Sequence, residues 1–219
     1  AMNYQIDAPG SAIRTTVKLP ASKSISNRAL ILNALSYSAY DVENLSDCDD
    51  TNLMVKALNS NDRDFNVGAA GTTMRFLTAF LSKVVGEWTI TGTERMKNRP
   101  IKVLVDALNA LGARIEYMEK EGYPPLRIFG SALQGGEISL PGNVSSQYIS
   151  AILMIAPLTE NGVTLHLEGA IISRPYIHIT LQLMEQYGVR ASWTENTIKV
   201  LPQEYKPIRF TVESDWSAA

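Results

Sequence analysis

The chain has 219 residues, of which 45% are hydrophobic and 19% charged, and its formal net charge is −2. This composition is typical of a globular protein with a sizeable core, and the small net charge gives no global attraction to nucleic acid. A single cysteine excludes an internal disulfide framework, two histidines argue against a zinc site, and no apolar run reaches the roughly 20 residues of a membrane span. We therefore expect a cytoplasmic protein with no nucleic-acid or membrane partner and no metal.

The first predicted helix begins in a run rich in serine and basic residues, Pro20–Arg28, and continues through the apolar segment Ala29–Leu35. Unpaired backbone N–H groups and the positive end of the helix dipole lie at a helix start. Lys23, Ser24 and Arg28 would therefore lie at an anion site. Serine also caps helices that bind nothing, so this motif alone is weak evidence.

Two further apolar helices are predicted over Phe76–Val85 and Tyr148–Pro157. Each begins with small polar residues, Gly71–Thr73 before the first and Ser145–Gln147 before the second. Glycine at such a start lets an anion approach the backbone closely. All three apolar helices are hydrophobic nearly all round, so we expect them to be buried in the middle of the protein.

Each apolar helix is followed, at a nearly constant interval, by an amphipathic helix that should lie outside, such as Lys102–Leu111. We expect these outer helices to begin at Asp50, Arg99 and Arg174. The regular order predicts three repeats of a helix–strand–helix–strand unit.

Alternation of apolar and polar residues predicts strands between the helices. The predicted strands are Trp88–Thr91, Ala113–Tyr117, Leu126–Phe129, Glu137–Leu140, Val163–Leu167 and Thr197–Val200. At the end, the residues from Thr211 onward are predicted to form a strand that leaves a turn, and Ser217–Ala219 to begin a helix. We therefore expect the chain to be part of a longer protein.

Three parallel inner helices around a pseudo-threefold axis would bring their starts to the same end of the protein. We call the opening that these helix starts would surround the mouth. Its predicted lining is rich in cations and hydroxyl groups and contains no carboxylate. We therefore expect it to receive small, oxygen-rich anions without a general base of its own. The predicted lining consists of Lys23, Ser24, Arg28, Gly71, Thr72, Arg75, Arg99, Ser145, Ser146, Gln147, Ser173, Arg174 and Tyr176.

Taken in order, the motifs resemble those of the 5-enolpyruvylshikimate-3-phosphate synthase family over nearly the whole chain. The segments that carry the resemblance are Leu19–Arg28, Ala70–Arg75, Arg95–Ile101, Val144–Tyr148, Ser173–Ile177 and Val212–Asp215. The resemblance implies an α/β enzyme of two lobes, each with three βαβαββ repeats, buried parallel helices and pseudo-threefold symmetry. It assigns residues 20–212 to the N-terminal lobe, and 1–19 and 213–219 to a second lobe that the chain largely lacks.

The resemblance implies transfer of the enolpyruvyl group of phosphoenolpyruvate to the 5-hydroxyl of shikimate 3-phosphate, with release of phosphate. This step belongs to the shikimate pathway of aromatic amino-acid biosynthesis and is the target of glyphosate. No metal or organic cofactor is implied, and we expect the full-length protein to be a monomer. Because the family's aspartate base and other catalytic groups belong to the second lobe, we expect this chain alone to be inactive.

The resemblance also assigns residues to the two substrates. Those implied for shikimate 3-phosphate are Lys23, Ser24, Arg28, Ser145, Ser146, Gln147, Ser173 and Tyr176. Those implied for phosphoenolpyruvate are Lys23, Gly71, Thr72, Arg99 and Gln147, with Lys23 as a catalytic residue. The chain departs from the family pattern at Ala69, where asparagine is usual, and at Phe76, where many members have proline.

Two alternatives remain open. One is the related enzyme that transfers enolpyruvyl to UDP-N-acetylglucosamine, although that relative carries Lys-Asn in place of the first motif. The other is a non-catalytic repeat module that binds anions. A pure scaffold would not need Lys23, Arg28 and Arg99 at its helix starts.

Overall fold

The computed structural model describes residues 3–7, 14–18 and 22–213. The helix predicted to begin at Ser217 lies outside the described residues, as do positions 1–2, 8–13, 19–21 and 214–219. The assignment of residues 1–19 and 213–219 to a second lobe remains a prediction.

Most of the described helices lie where the sequence predicts them. The inner helices begin at or within two residues of the predicted starts, because small polar residues end the preceding loop there. The helices are α1 (Lys23–Leu35), α2 (Asp49–Leu58), α3 (Gly71–Lys83), α4 (Glu94–Lys97), α5 (Lys102–Ala110), α6 (Ser146–Ile155) and α7 (Arg174–Gln186), with a 3-10 turn over Ala156–Leu158.

The strands form a hairpin and two four-stranded sheets. They are β1 (Asn3–Asp7), β2 (Arg14–Lys18), β3 (Asp64–Asn66), β4 (Gly86–Thr91), β5 (Arg114–Tyr117), β6 (Leu126–Gly130), β7 (Gly136–Pro141), β8 (Val163–Glu168), β9 (Ala191–Thr194) and β10 (Thr197–Val200). The hairpin pairs β1 with β2, and the sheets have the orders β3-β4-β6-β5 and β7-β8-β10-β9. Strands β1, β2, β3 and β9 were not predicted from the sequence.

The two larger sheets repeat one topology. In each, the first two strands are parallel, with Phe65 opposite Ile90 in one sheet and Ile138 opposite Leu165 in the other. The other two strands follow antiparallel. Residues 64–130 and 136–200 therefore each have the order βαβαββ, and the α/β prediction is confirmed.

The first unit departs from this pattern. Helix α2 is followed by only five residues, Asn59–Arg63, before β3 begins, so no strand pair intervenes as it does after α5 and α7. In the described part of this unit, a single parallel bridge between Glu43 and Thr211 stands where the other two units have a four-stranded sheet. The helix order is therefore consistent with the predicted threefold repeat, whereas the sheets do not follow it.

The core lies where the inner helices α1, α3 and α6 contact one another. Each outer helix packs between two of them: α2 between α1 and α3, α5 between α3 and α6, and α7 between α6 and α1. Ile31, Phe76 and Ile152 are at most 1% exposed. Burying such a side chain stabilises the fold by about 1.5–3 kcal/mol, so the three inner helices stabilise the core and fix the positions of their starts.

One predicted helix start is wrong. Arg99 does not begin the outer helix of the second unit, because a separate helix capped by Thr93 ends just before it. The chain instead forms the short helix α4, turns through Arg99 and Pro100, and begins α5 after Ile101.

None of the described helices is both long and apolar enough to cross a membrane.

Candidate functional site

The starts of the three inner helices meet at one cavity of about 280 Å³. The amide Nε2 of Gln147, on α6, donates a hydrogen bond of 2.8 Å to the hydroxyl of Thr72, on α3. The prediction of a common mouth is therefore confirmed. The cavity is lined by Lys23, Ser24, Asn27, Arg28, Thr72, Ser146, Gln147 and Tyr176.

Arg28 forms the floor of this cavity and is only 2% exposed. Its Nε donates to the Thr180 hydroxyl at 2.8 Å and its Nη2 to the Ser150 hydroxyl at 3.0 Å. The guanidinium carbon also lies 5.3 Å from the centre of the Phe76 ring and 5.8 Å from that of Tyr176. Burial lowers the pKa of Arg28 to about 10, so the group remains charged at neutral pH.

The lining of the 280 Å³ cavity contains no carboxylate, as predicted, but a carboxylate lies beside it. Asp50, on α2, is 8% exposed and accepts hydrogen bonds from the backbone N–H groups of Thr72 at 3.2 Å and Thr73 at 3.1 Å. It also accepts from the Thr73 hydroxyl at 2.6 Å. Asp50 thus caps α3 from another helix, and these two backbone N–H groups are already bound within the protein.

Lys23 lies between Asp50 and open space. Its Nζ is 3.4 Å from an Asp50 carboxylate oxygen, and its side chain is about half exposed. Lys23 also lines a second cavity of about 580 Å³, together with Asp50 and Ala69. It therefore stands on the boundary between two cavities.

Gln147 is held in one orientation by its neighbours. Its Oε1 accepts a hydrogen bond from Nη1 of Arg75, which leaves Nε2 directed at Thr72. Arg75 itself lies over the Tyr148 ring, with its guanidinium carbon 4.9 Å from the ring centre, and burial lowers its pKa. Arg75 does not line the 280 Å³ cavity, contrary to its predicted place at the mouth, because it points between α3 and α6.

Arg99 reaches the start of α3 from the loop before α5. A Cβ atom added to Gly71 would lie 2.5 Å from an Arg99 guanidinium nitrogen, so the guanidinium rests directly on the glycine. Arg99 also borders a cavity of about 450 Å³ together with Ala69, Arg95 and Met96. The sequence predicted that an anion would approach Gly71 closely, whereas in the structure the Arg99 guanidinium lies against it.

The remaining predicted residues divide between the rim and the outside. Ser146 lines the cavity, whereas Ser145 precedes it as the cap of α6, its hydroxyl accepting from the Gln147 backbone N–H at 3.2 Å. Ser173 precedes α7 and lies outside the cavity lining. Tyr176, one turn into the same helix, lines the cavity and is 45% exposed.

Arg174 turns away from the mouth, which corrects its predicted place in the lining. Its guanidinium carbon lies 5.4 Å from the centre of the Trp193 ring, on β9. The first residue of a helix can point to either side of its start, and stacking on an aromatic ring favours the outer side here.

Sequence reasoning missed four polar residues at or beneath the cavity: Asn27, Asp50, Ser150 and Thr180. Three of them lie one helical turn after a residue that it selected, so both residues share a helix face. These pairs are Lys23 and Asn27, Ser146 and Ser150, and Tyr176 and Thr180. A polar residue one turn into an apolar helix was therefore the available signal.

Nowhere in the described ranges do three or more His, Cys, Asp or Glu side chains form a group that could hold a metal ion.

Comparison with known protein families gives a match over nearly the whole chain. The model of the family described as EPSP synthase (3-phosphoshikimate 1-carboxyvinyltransferase) matches residues 8–63 and 59–219. The two pieces meet between α2 and β3, where the first unit lacks a strand pair.

Curated relatives and solved structures agree with this match. A protein of Bacteroides fragilis (strain YCH46) named 3-phosphoshikimate 1-carboxyvinyltransferase is 60% identical over 219 residues, which are all of this chain and 53% of that protein. A protein of the same name from Vibrio cholerae (strain M66-2) is 42% identical over 96% of this chain and 56% of its own length. A structure of EPSP synthase from Acinetobacter baumannii superposes with a TM-score of 0.79 at 20% identity, over 90% of this chain and 49% of that one. That likeness shows the fold, and the chain spans about half the length of the curated relatives it matches.

Proposed function

The chain belongs to the EPSP synthase family, and we propose that it forms one half of the active site of a 3-phosphoshikimate 1-carboxyvinyltransferase. The reaction transfers the enolpyruvyl group of phosphoenolpyruvate to the 5-hydroxyl of shikimate 3-phosphate and releases phosphate. Both substrates are polyanions, and a site for them requires cations and fixed hydrogen-bond donors.

The observation that carries the proposal is the cavity above Arg28. It combines a buried cation with hydroxyl and amide groups from four helices, and a phosphorylated polyhydroxy acid needs both. Shikimate 3-phosphate would bind to Ser24, Arg28, Ser146, Gln147 and Tyr176. In the same proposal Ser145 and Ser173, at the starts of α6 and α7, contact its phosphate from the rim.

Phosphoenolpyruvate would bind beside this cavity, between Lys23 and Arg99. Lys23 lines both the 280 Å³ and the 580 Å³ cavities, and Ala69 links the latter to the space bordered by Arg99. Lys23 is therefore placed to touch both substrates and to stabilise negative charge in the tetrahedral intermediate between them. Gly71 and Thr72 form the wall beneath phosphoenolpyruvate, and Gln147 donates from the opposite side.

Calorimetric or NMR titration of this chain with shikimate 3-phosphate tests the proposal. We expect saturable but weak binding, with a Kd on the order of 0.1–1 mM, because one lobe alone does not close over its ligand. Arg28→Ala should abolish this binding. Arg190→Ala should retain it, because Arg190 is an exposed arginine remote from the cavity.

Three results would overturn parts of the proposal. Saturable binding of UDP-N-acetylglucosamine without binding of shikimate 3-phosphate would favour the related enolpyruvyl transferase. Equal binding of shikimate 3-phosphate by the wild type and Arg28→Ala would show that the cavity is not its site. Turnover of both substrates by this chain alone would contradict the expectation that the chain is inactive by itself.

A further inference from the structure

The way in which Arg28 is held is unusual for a buried arginine. Burying a guanidinium carries a large desolvation cost, which proteins ordinarily offset with a carboxylate partner. In the part of the chain that the structure describes, no carboxylate forms an ion pair with Arg28. Its hydrogen bonds go instead to the Thr180 hydroxyl, the Ser150 hydroxyl and, at 3.1 Å, the backbone carbonyl of Ser24.

The two hydroxyl groups form a chain with a defined direction. Thr180 donates its proton to the carbonyl of Tyr176 at 2.9 Å, and the Ser150 and Thr180 oxygens are 2.7 Å apart. Since the Thr180 proton is used, Ser150 is the donor between them. Each hydroxyl has one proton and two lone pairs, so both oxygens can still accept from Arg28. Both residues are 0% exposed, and every proton of the pair is bound.

The second cation of the cavity is held differently. Lys23 lies 3.4 Å from the Asp50 carboxylate, which compensates part of its charge. Arg28 is oriented by neutral acceptors, which bind two of its nitrogens without cancelling its charge. Its remaining electrostatic partner is then whatever anion enters the cavity.

We propose that Thr180 and Ser150 are positioning residues that hold the Arg28 guanidinium in one plane and leave its positive charge uncompensated for an anionic ligand. The identity of that ligand, shikimate 3-phosphate, rests on the proposed function. The placement of the arginine does not depend on it.

Two substitutions at Thr180 separate its hydroxyl from its shape. Thr180→Val keeps the branched shape and loses the hydroxyl, whereas Thr180→Ser keeps the hydroxyl and loses the methyl group. The matched control is Thr78→Val, because Thr78 is also fully buried and also donates to the carbonyl four residues before it, that of Met74, at 2.7 Å. Thr78 lies on α3 and has no hydrogen bond with Arg28.

Titration with shikimate 3-phosphate is the first measurement. A hydrogen bond to a charged group changes affinity about 10- to 100-fold, so Thr180→Val should weaken binding by that factor. Thr180→Ser and Thr78→Val should remain within about threefold of the wild type. Equal losses in Thr180→Val and Thr78→Val, or a larger loss in Thr180→Ser than in Thr180→Val, would overturn the proposal.

The second measurement needs no ligand. The Nε–H group of Arg28 should give a slowly exchanging NMR cross-peak in the wild type, in Thr180→Ser and in Thr78→Val, and should lose its protection in Thr180→Val. An unchanged cross-peak in Thr180→Val would overturn the proposal. If the cross-peak behaves as expected but shikimate 3-phosphate does not bind the wild type, the proposed function fails and the positioning role stands. If Thr180→Val does not fold, Ser150→Ala replaces it; this variant removes the acceptor of Nη2, so the protons that should lose protection are then those on Nη2.

Discussion

Replacement of Asp50 by alanine tests whether this residue of α2 stabilises the fold by capping the start of α3. In the wild type, the Asp50 carboxylate accepts from the backbone N–H groups of Thr72 and Thr73 and from the Thr73 hydroxyl, and it pairs with Lys23. Asp50→Ala removes all of these acceptors at once. The start of α3 is buried, so water cannot replace them freely, and the variant should unfold more easily.

The expected loss of stability follows from these contacts. Removing a helix cap costs about 0.5–2 kcal/mol. The Thr73 hydroxyl loses its charged acceptor but keeps the backbone carbonyl of residue 50 at 2.8 Å, so this loss adds about 0.5–1.5 kcal/mol. The pair with the half-exposed Lys23 contributes at most about 1 kcal/mol, because solvent screens it. Contributions within one network are not additive, so we expect Asp50→Ala to lower the free energy of unfolding by about 2–4 kcal/mol.

Urea unfolding followed by circular dichroism measures this loss, and Asp49→Ala is the matched control. Asp49 is the adjacent acid in the first turn of α2, but it is exposed, so the control shares the interaction with the helix dipole and lacks the cap. We expect Asp49→Ala to cost less than about 1 kcal/mol. Equal losses in the two variants would refute the reasoning, because they would show that the bonds from Asp50 to α3 do not stabilise the fold.

Three further predictions concern the cavity and the core. Arg28→Met should lose shikimate 3-phosphate binding in a titration. Its thermal unfolding midpoint should stay the same or rise, because an apolar side chain replaces a buried unpaired charge. A marked fall in the midpoint would contradict this expectation. Gly71→Ala should push the Arg99 guanidinium aside and weaken phosphoenolpyruvate binding about 10-fold in the same assay. Unchanged binding would show that the position of Arg99 is unimportant. Ile152→Ala should cost about 2–5 kcal/mol in urea unfolding, and the control Ile172→Ala, at a 70% exposed position, within about 0.5 kcal/mol. Similar losses in the two variants would refute the assignment of α6 to the core.

Local patterns in the sequence were sufficient to locate the inner helices and most of the strands. The apolar runs in α1, α3 and α6 are hydrophobic on every face, and that pattern is stable only in the middle of a protein. The strands from β4 to β8, and β10, alternate clearly enough to be predicted within about two residues at each end. The regular spacing of the helices hid the irregular first unit, although the short stretch Asn59–Arg63 leaves no room for a strand pair.

The motifs at the helix starts also located much of the cavity, because a helix start concentrates donors wherever it lies. Lys23, Ser24, Arg28, Ser146 and Gln147 were selected for this reason. Which of them face the cavity depends on the rotation of each helix in the packed core. Local sequence does not determine that rotation, and Arg75 and Arg174 therefore point elsewhere.

The sequence by itself determined which segments are helices and strands, which helices are buried and where anion-binding groups concentrate, because these properties depend on residues within one or two turns of each other. Only the tertiary structure decided which polar groups meet. Arg28 and Thr180 are 152 residues apart in the chain, and Asp50 reaches the start of α3 from a different helix. Such contacts arise from the packing of the inner and outer helices against one another, and that packing is a property of the whole core.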